Sequence, residues 1–258
     1  MPVHKISEIA ITASRERTVA PIGIELRGGS LAYGGKPVFE GLDLDITAGR
    51  TTCLLGPSGV GKSSLLRLIA GISPEARAQR LAASDGEPIA GRLAFMDQRD
   101  LLLPWLGVLD NITLGARLRG ERIDRQRAES LLHKVGLGAE ADTLPAALSG
   151  GMRQRAALAR TLMEDRALVL MDEPFSALDA LTRLRLQDLA AQLLVGRTTL
   201  LVTHDPVEAL RLGHRILVLR GDPARMGAPF EPAGPPPRPA DDPALHGLAA
   251  QILLDLAG

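Results

Sequence analysis

Four short stretches of this chain carry residue types whose spacing can do chemistry. The first is Gly56-Pro57-Ser58-Gly59-Val60-Gly61-Lys62-Ser63, followed by Ser64. It fits G-x-x-x-x-G-K-(S/T), in which glycines let backbone N–H groups turn inward around phosphate oxygens. Lys62 is expected to reach the β- and γ-phosphates, and the Ser63 hydroxyl to bind Mg²⁺. The second is Asp172-Glu173, after the apolar run ALVLM. Asp172 is placed to hold the magnesium shell, and Glu173, pointing elsewhere on the pleat, to take a proton from an attacking water. The bland alternative is a pair of acids capping a helix. The third is His204, which ends the next apolar run, LLVT. His4, His133, His214 and His246 lie near termini or in polar contexts and read as solvated. The fourth is Leu148-Ser149-Gly150-Gly151-Met152-Arg153-Gln154-Arg155. A Ser cap, two glycines and a helix start make a second anion-binding nest, or an ordinary capped helix. One nest suffices for one nucleotide, so the economical reading assigns the second to the nucleotide of another subunit.

These residues need a scaffold that brings strand ends together. TTCLLG at 51–56 reads as a short buried strand feeding the Gly-rich loop, and 63–72 as the helix after it. Residues 167–171, 198–203 and 215–220 are continuous apolar runs, as in parallel strands covered on both faces. From Ile24 to Arg50, alternating apolar residues and Gly-rich turns predict an antiparallel β region. Residues 99–147 are polar, Arg-rich and helical in period, which predicts a helical subdomain inserted into the α/β core. Strands alternating with helices imply ligands at the C-terminal strand ends. Residues 1–22 read as a loose leader, 221–244 as an extended Pro-rich linker, and 246–257 as a terminal helix.

Global composition agrees. The chain has 258 residues, is 45% hydrophobic and 2% aromatic, and has formal net charge +0. The length suits one α/β domain with an insertion. The balanced charge gives no reason to expect nucleic acid. One cysteine, Cys53, excludes a disulfide framework and suits a reducing cytosol. No apolar run approaches the roughly 18 to 20 residues of a membrane span. The first residues lack the long apolar stretch of a signal peptide, so any membrane link runs through a partner.

With these motifs in order, residues 24–220 resemble the nucleotide-binding subunit of an ABC transporter. Residues 56–63 match the Walker A loop, Gln98 the Q-loop glutamine and 148–152 the LSGGQ-type signature, with Met152 where Gln is commoner. Residues 168–173 match Walker B, Ser176-Ala177-Leu178-Asp179 the D-loop, and His204 the switch histidine. Tyr33, the only tyrosine, matches the aromatic that stacks on adenine; its other reading is an edge-strand aromatic. The resemblance implies a P-loop ATPase domain with a mixed β core at 23–220, an antiparallel β subdomain and a helical subdomain at about 99–165. It implies a head-to-tail dimer, with each ATP between one copy's Walker A and the other's signature. Glu173 would be the general base, His204 would position the water, and Gln98 would touch Mg²⁺ or water and couple the site to the membrane. Integral membrane permease subunits, and indirectly an external solute-binding protein, follow as partners. The place would be the inner face of the cell membrane.

The segment Gln98-Arg99-Asp100-Leu101-Leu102-Leu103-Pro104-Trp105 and the following VLDN resemble importers of the nitrate/sulfonate/taurine group. That group includes transporters of the thiamine pyrimidine precursor, toward which the QxDLLLPW form inclines. The aromatic usual before the glutamine is Asp97 here. Trp105, the only tryptophan, reads either as a buried loop anchor or as an exposed docking contact. A non-transport ABC ATPase, for example one serving iron–sulfur assembly, is the competing reading; LLPW speaks against it. A regulatory module that holds ATP without hydrolysing it is opposed by Glu173 and His204.

Overall fold

The structure is a computed structural model describing residues 20–257. The antiparallel part comes first. β1 (Ile24–Tyr33) and β2 (Lys36–Ile46) form a hairpin, with β4 (Arg80–Ala83) on its outer edge. The parallel core contains β3 (Thr51–Leu55), β5 (Leu93–Met96), β6 (Leu168–Asp172), β7 (Thr198–Val202) and β8 (Arg215–Gly221). A short β9 (Ala224–Met226) runs antiparallel to β8 and touches β2 through Phe39 and Ala224. Among the described residues, one mixed sheet results, in the order β4-β1-β2-β9-β8-β3-β7-β6-β5.

The core strands are apolar throughout because both faces are covered. Every residue of β6 and β7 is buried. Their side chains alternate between two cores, as a period of two requires. Val169, Met171 and Leu201 enter one, and Leu168, Leu170, Leu200 and Val202 the other. The second core also receives α1 (Lys62–Ile69) and the β1–β2 hairpin.

Between β5 and β6 the chain is helical, with no strand. It forms α2 (Val108–Ile112), α3 (Leu114–Leu118), α4 (Arg125–Lys134), two single 3₁₀ turns and α5 (Gly150–Met163). Val108, Ile112, Leu131 and Leu132 pack with Ala156 and Ala157 of α5 in the first core. α6 (Ala180–Leu193) and α7 (Pro206–Leu212) start at side-chain caps from Asp179 and Asp205. Such caps each contribute about 1 kcal/mol.

Two expectations at the chain's ends change. Of the leader at 1–22, residues 1–19 lie outside the described residues, while Ile22 is buried in the core. The segment at 221–244 is not an extended linker. It contributes β9, bridges Phe230 to Ile216 and leads into α8 (Pro243–Ala257). Its anchor is Arg238, 3% exposed, whose guanidinium donates to the carbonyls of Leu210, Gly213, Pro232, Ala233 and Gly234. Prolines cannot donate backbone bonds, so a rigid five-donor fork is a direct way to satisfy these carbonyls. No helix among the described residues is long and apolar enough to cross a membrane.

A buried polar network joins α6 to α7. Gln187 donates to Glu208 at 3.0 Å and accepts from Arg211, which also pairs with Asp188. Burial pushes the Glu208 carboxyl up to about 7 from 4.5, with Asp205 adding to the rise and Thr203, Gln187 and Arg183 opposing it. The native state therefore keeps a proton that the unfolded chain releases between those values. Its stabilising effect is full below pH 4.5 and is lost as pH rises through 7. Glu208→Gln should flatten this slope and make the protein more stable at pH 8, by up to about 3 kcal/mol. Urea unfolding of both proteins at pH 5, 6.5 and 8 measures it.

Candidate nucleotide site

The Gly-rich loop connects β3 to α1 under tight steric limits. A side chain at Gly56 would lie 2.4 Å from the Leu219 carbonyl of β8. Gly61 has φ +105 and sits against Val38 and Phe39 of β2. Only glycine meets both conditions at low cost. Among the described residues, no backbone bond takes up the N–H groups of Gly59, Gly61, Lys62, Ser63 or Ser64. They form the nest expected at a helix start. Lys62 Nζ donates to the carbonyls of Gly56 at 2.7 Å and Pro57 at 2.9 Å. Burial lowers its pKa, while Glu173 and Asp172 pull it back up.

Asp172 ends β6 with its side chain buried beside this loop. Burial raises its pKa, with the Ser63 hydroxyl opposing. Its Oδ2 is buried without a hydrogen-bond partner. An orphaned carboxylate oxygen next to a hydroxyl is a donor set that suits a hard divalent cation.

Glu173 is not on the pleat, as the sequence suggested. β6 ends at Asp172, and Glu173 takes φ +47, an unusual conformation for a side chain of this size. Hydrogen bonds on both sides hold its backbone. Its N–H donates to the Val202 carbonyl at 2.9 Å; its own carbonyl accepts from Gln154 Nε2 at 3.0 Å and Ser176 Oγ at 3.1 Å. The turn aims the carboxylate between two predicted partners. Oε1 lies 3.2 Å from His204 Nδ1, and Oε2 3.4 Å from Gln98 Nε2. Residues far apart in sequence thus converge on one carboxylate.

Other predicted residues lie elsewhere. Ser149 caps α5 by accepting from Met152 N–H, and Gly151 packs near the Ala177 carbonyl. No hydrogen bond among the described residues joins Ser149, Gly150 or Gly151 to residues 56–63. Asp179 is an exposed cap whose bond from Thr182 N–H holds its carboxyl below the usual range. Tyr33 stands half exposed at the hairpin end, paired across the strands with Lys36. Trp105 is 70% exposed, so it is not a buried anchor.

Two positioning contacts escaped sequence reasoning. Gln154, within the signature helix, reaches the Glu173 carbonyl; nothing in its local pattern pointed there. Asp97 is buried and pairs with Arg67 of α1 at 3.0 Å, tying the residue before Gln98 to the phosphate-loop helix. Its place beside Gln98 was the available signal.

Comparison with known proteins agrees with this geometry. Residues 39–176 match the ABC transporter family model. The chain is 43% identical over 235 residues to an aliphatic sulfonates import ATP-binding protein of Pseudomonas syringae, covering 90% of this chain and 95% of the relative. It is 46% identical over 235 residues to one of Delftia acidovorans, covering 90% and 93%. An uncharacterized ABC transporter ATP-binding protein of Haemophilus influenzae shares 45% identity over 234 residues, covering 89% and 96%. A dimeric, post-hydrolysis ATP-binding cassette bound to ADP and Pi has a similar structure, with TM-score 0.71 and 28% identity, over 82% of this chain and 99% of that one. Motif geometry, sequence and fold agree: the chain belongs to the ABC transporter family, as an ATP-binding and ATP-hydrolysing import subunit.

Proposed function

We propose that two copies of this chain bind two ATP molecules head to tail and drive import of a small anionic solute of the sulfonate type. The observation that carries the shared site is that α5 presents a capped anion nest, Ser149–Gly151, whose N–H groups bond no acceptor among the described residues, while the Walker A loop has a complete nest of its own. The similar cassette is dimeric. The relatives named for aliphatic sulfonates favour that solute class over the thiamine pyrimidine precursor. Residues 23–220 form the ATPase domain in this reading, with the helical unit at about 99–165 inserted.

The roles follow from placement. The N–H nest of residues 56–64 and the Lys62 ammonium hold the phosphates, Tyr33 stacks on adenine, and Asp179 belongs with the nucleotide-binding residues. Asp172, Ser63 and Gln98 would hold Mg²⁺, which neutralises phosphate charge when bound. Glu173 accepts a proton from the attacking water. His204, with Nδ1 3.2 Å from Oε1, orients that water and the γ-phosphate. Gln154 fixes the carbonyl of the turn from which Glu173 projects.

The membrane link is proposed through the Trp105 loop, at the inner face of the cell membrane, against integral permease subunits served by an external solute-binding protein. An exposed tryptophan flanked by the exposed Leu101 is an apolar contact of the kind that anchors interfaces. Trp105→Ala should weaken co-purification with the permease at least tenfold while nucleotide binding by the isolated chain stays unchanged. Recovery of the permease at wild-type yield would remove Trp105 from the interface. Stimulation of the complex's ATPase by binding protein loaded with ethanesulfonate, and not with the pyrimidine precursor, tests the solute class.

A further inference from the structure

The loop from Asp100 to Gly107 is gripped at both ends. On one side stands Asn111 of α2, fully buried. Its Oδ1 accepts from Leu103 N–H at 2.7 Å, and its Nδ2 donates to the carbonyls of Leu103, Leu106 and Gly107. On the other side stands α5. Arg160 donates to the carbonyls of Asp100 at 2.6 Å and Leu101 at 2.8 Å, where Leu101 takes φ +47. Arg153 lies seven residues earlier, two turns away on the same face. Its Nε donates to Asp100 Oδ2 at 3.1 Å, and its Nη1 to the Leu148 carbonyl at 2.8 Å. Leu148 immediately precedes the cap Ser149.

One guanidinium therefore holds the first residue of the Trp105 loop and the last residue before the signature nest. Its donors are coplanar and fixed relative to each other. A change in spacing between Leu148 and Asp100 must break a bond or move the loop. Arg160 fixes the loop's backbone to the middle of α5 and acts as a pivot. We propose that Arg153 is a positioning residue through which the signature turn and the Trp105 loop sense each other's position. Coupling of this kind is reciprocal: closure of a second copy on the signature displaces Trp105, and a partner bound at Trp105 biases closure. The inference rests on the reading of Ser149–Gly151 as half of a shared ATP site.

Trp105 is the only tryptophan, so its emission reports the loop alone. The parent protein is Glu173→Gln, mixed with Mg-ATP and followed by light scattering together with tryptophan emission and acrylamide quenching. In the parent, dimer formation should change both optical signals. Adding Arg153→Met, which keeps the stem but removes both bonds, should leave the dimer and abolish most of the optical change. Adding Asp100→Asn should do the same, because it weakens the ion pair while the bond from Leu102 N–H to Oδ1 can persist. If the methionine variant fails to fold or dimerise, the asparagine variant decides. A dimer with an undiminished optical change in that variant overturns the proposal, as does a parent dimer with no optical change. A parent that stays monomeric with saturating Mg-ATP removes the shared site, and this inference with it.

Discussion

Exchange of Glu173 for glutamine is expected to lower ATP turnover roughly 10²- to 10⁴-fold, the usual effect of losing a general base, while ATP binding persists. The substitution keeps the side chain's size. Glutamine can still face His204 and Gln98, whose nitrogens lie 3.2 and 3.4 Å from the carboxylate oxygens, but it cannot take up a proton. Asp172, Ser63 and Lys62 remain in place. The backbone of residue 173 is held by Val202, Gln154 and Ser176 rather than by its own side chain, so the left-handed turn survives. ATP then stays bound and unhydrolysed. If the signature of one copy closes on the nucleotide of the other, the stalled state accumulates as a dimer with ATP and not with ADP. Light scattering after size exclusion measures this, and steady-state phosphate release measures turnover. Near-normal turnover would remove Glu173 as the base.

Lys62→Ala is expected to weaken ATP binding roughly 10- to 100-fold, because one charge-assisted contact contributes about 1.5 to 3 kcal/mol. Turnover should fall further, since in the proposed site the same ammonium would face charge that develops on the transferred phosphoryl group. The fold should survive. Among the described residues Lys62 Nζ bonds the loop carbonyls of Gly56 and Pro57 and no core group, and burial of its charge is a cost that the variant removes. Titration with a fluorescent ATP analogue, alongside a thermal melt, separates the two effects. Unchanged affinity and turnover would overturn the assignment.

The parts of this site that are legible in the sequence are those whose physics is local. A phosphate nest needs glycines at fixed offsets before a helix, and Gly56, Gly59 and Gly61 stand just before α1. A capped helix needs an oxygen-bearing residue one position before its start, and Ser149 is that residue for α5. Buried parallel strands need unbroken apolar runs, which is why β3, β6, β7 and β8 can be read directly. The antiparallel hairpin before them announces itself by alternation and turn glycines.

What only the tertiary structure decided involves partners distant along the chain. Gln98 and Glu173 are 75 residues apart, and Gln154 reaches across 19 to a backbone carbonyl. Neither pairing has a local signature, because each depends on β5, β6 and α5 lying side by side. The left-handed turn at Glu173 is invisible for the same reason: glutamate has no preference for it, and its neighbours impose it. Residues 221–244 look like a linker because prolines and glycines suit one. Whether such a segment packs depends on a distant donor, and here the Arg238 fork meets the carbonyls of Leu210 and Gly213. Exposure of Trp105 was equally open, since an indole flanked by leucines suits a core or an interface. The bonds from Asn111 and Arg160 settled it, by fixing the loop's backbone to the protein and leaving its tip in solvent.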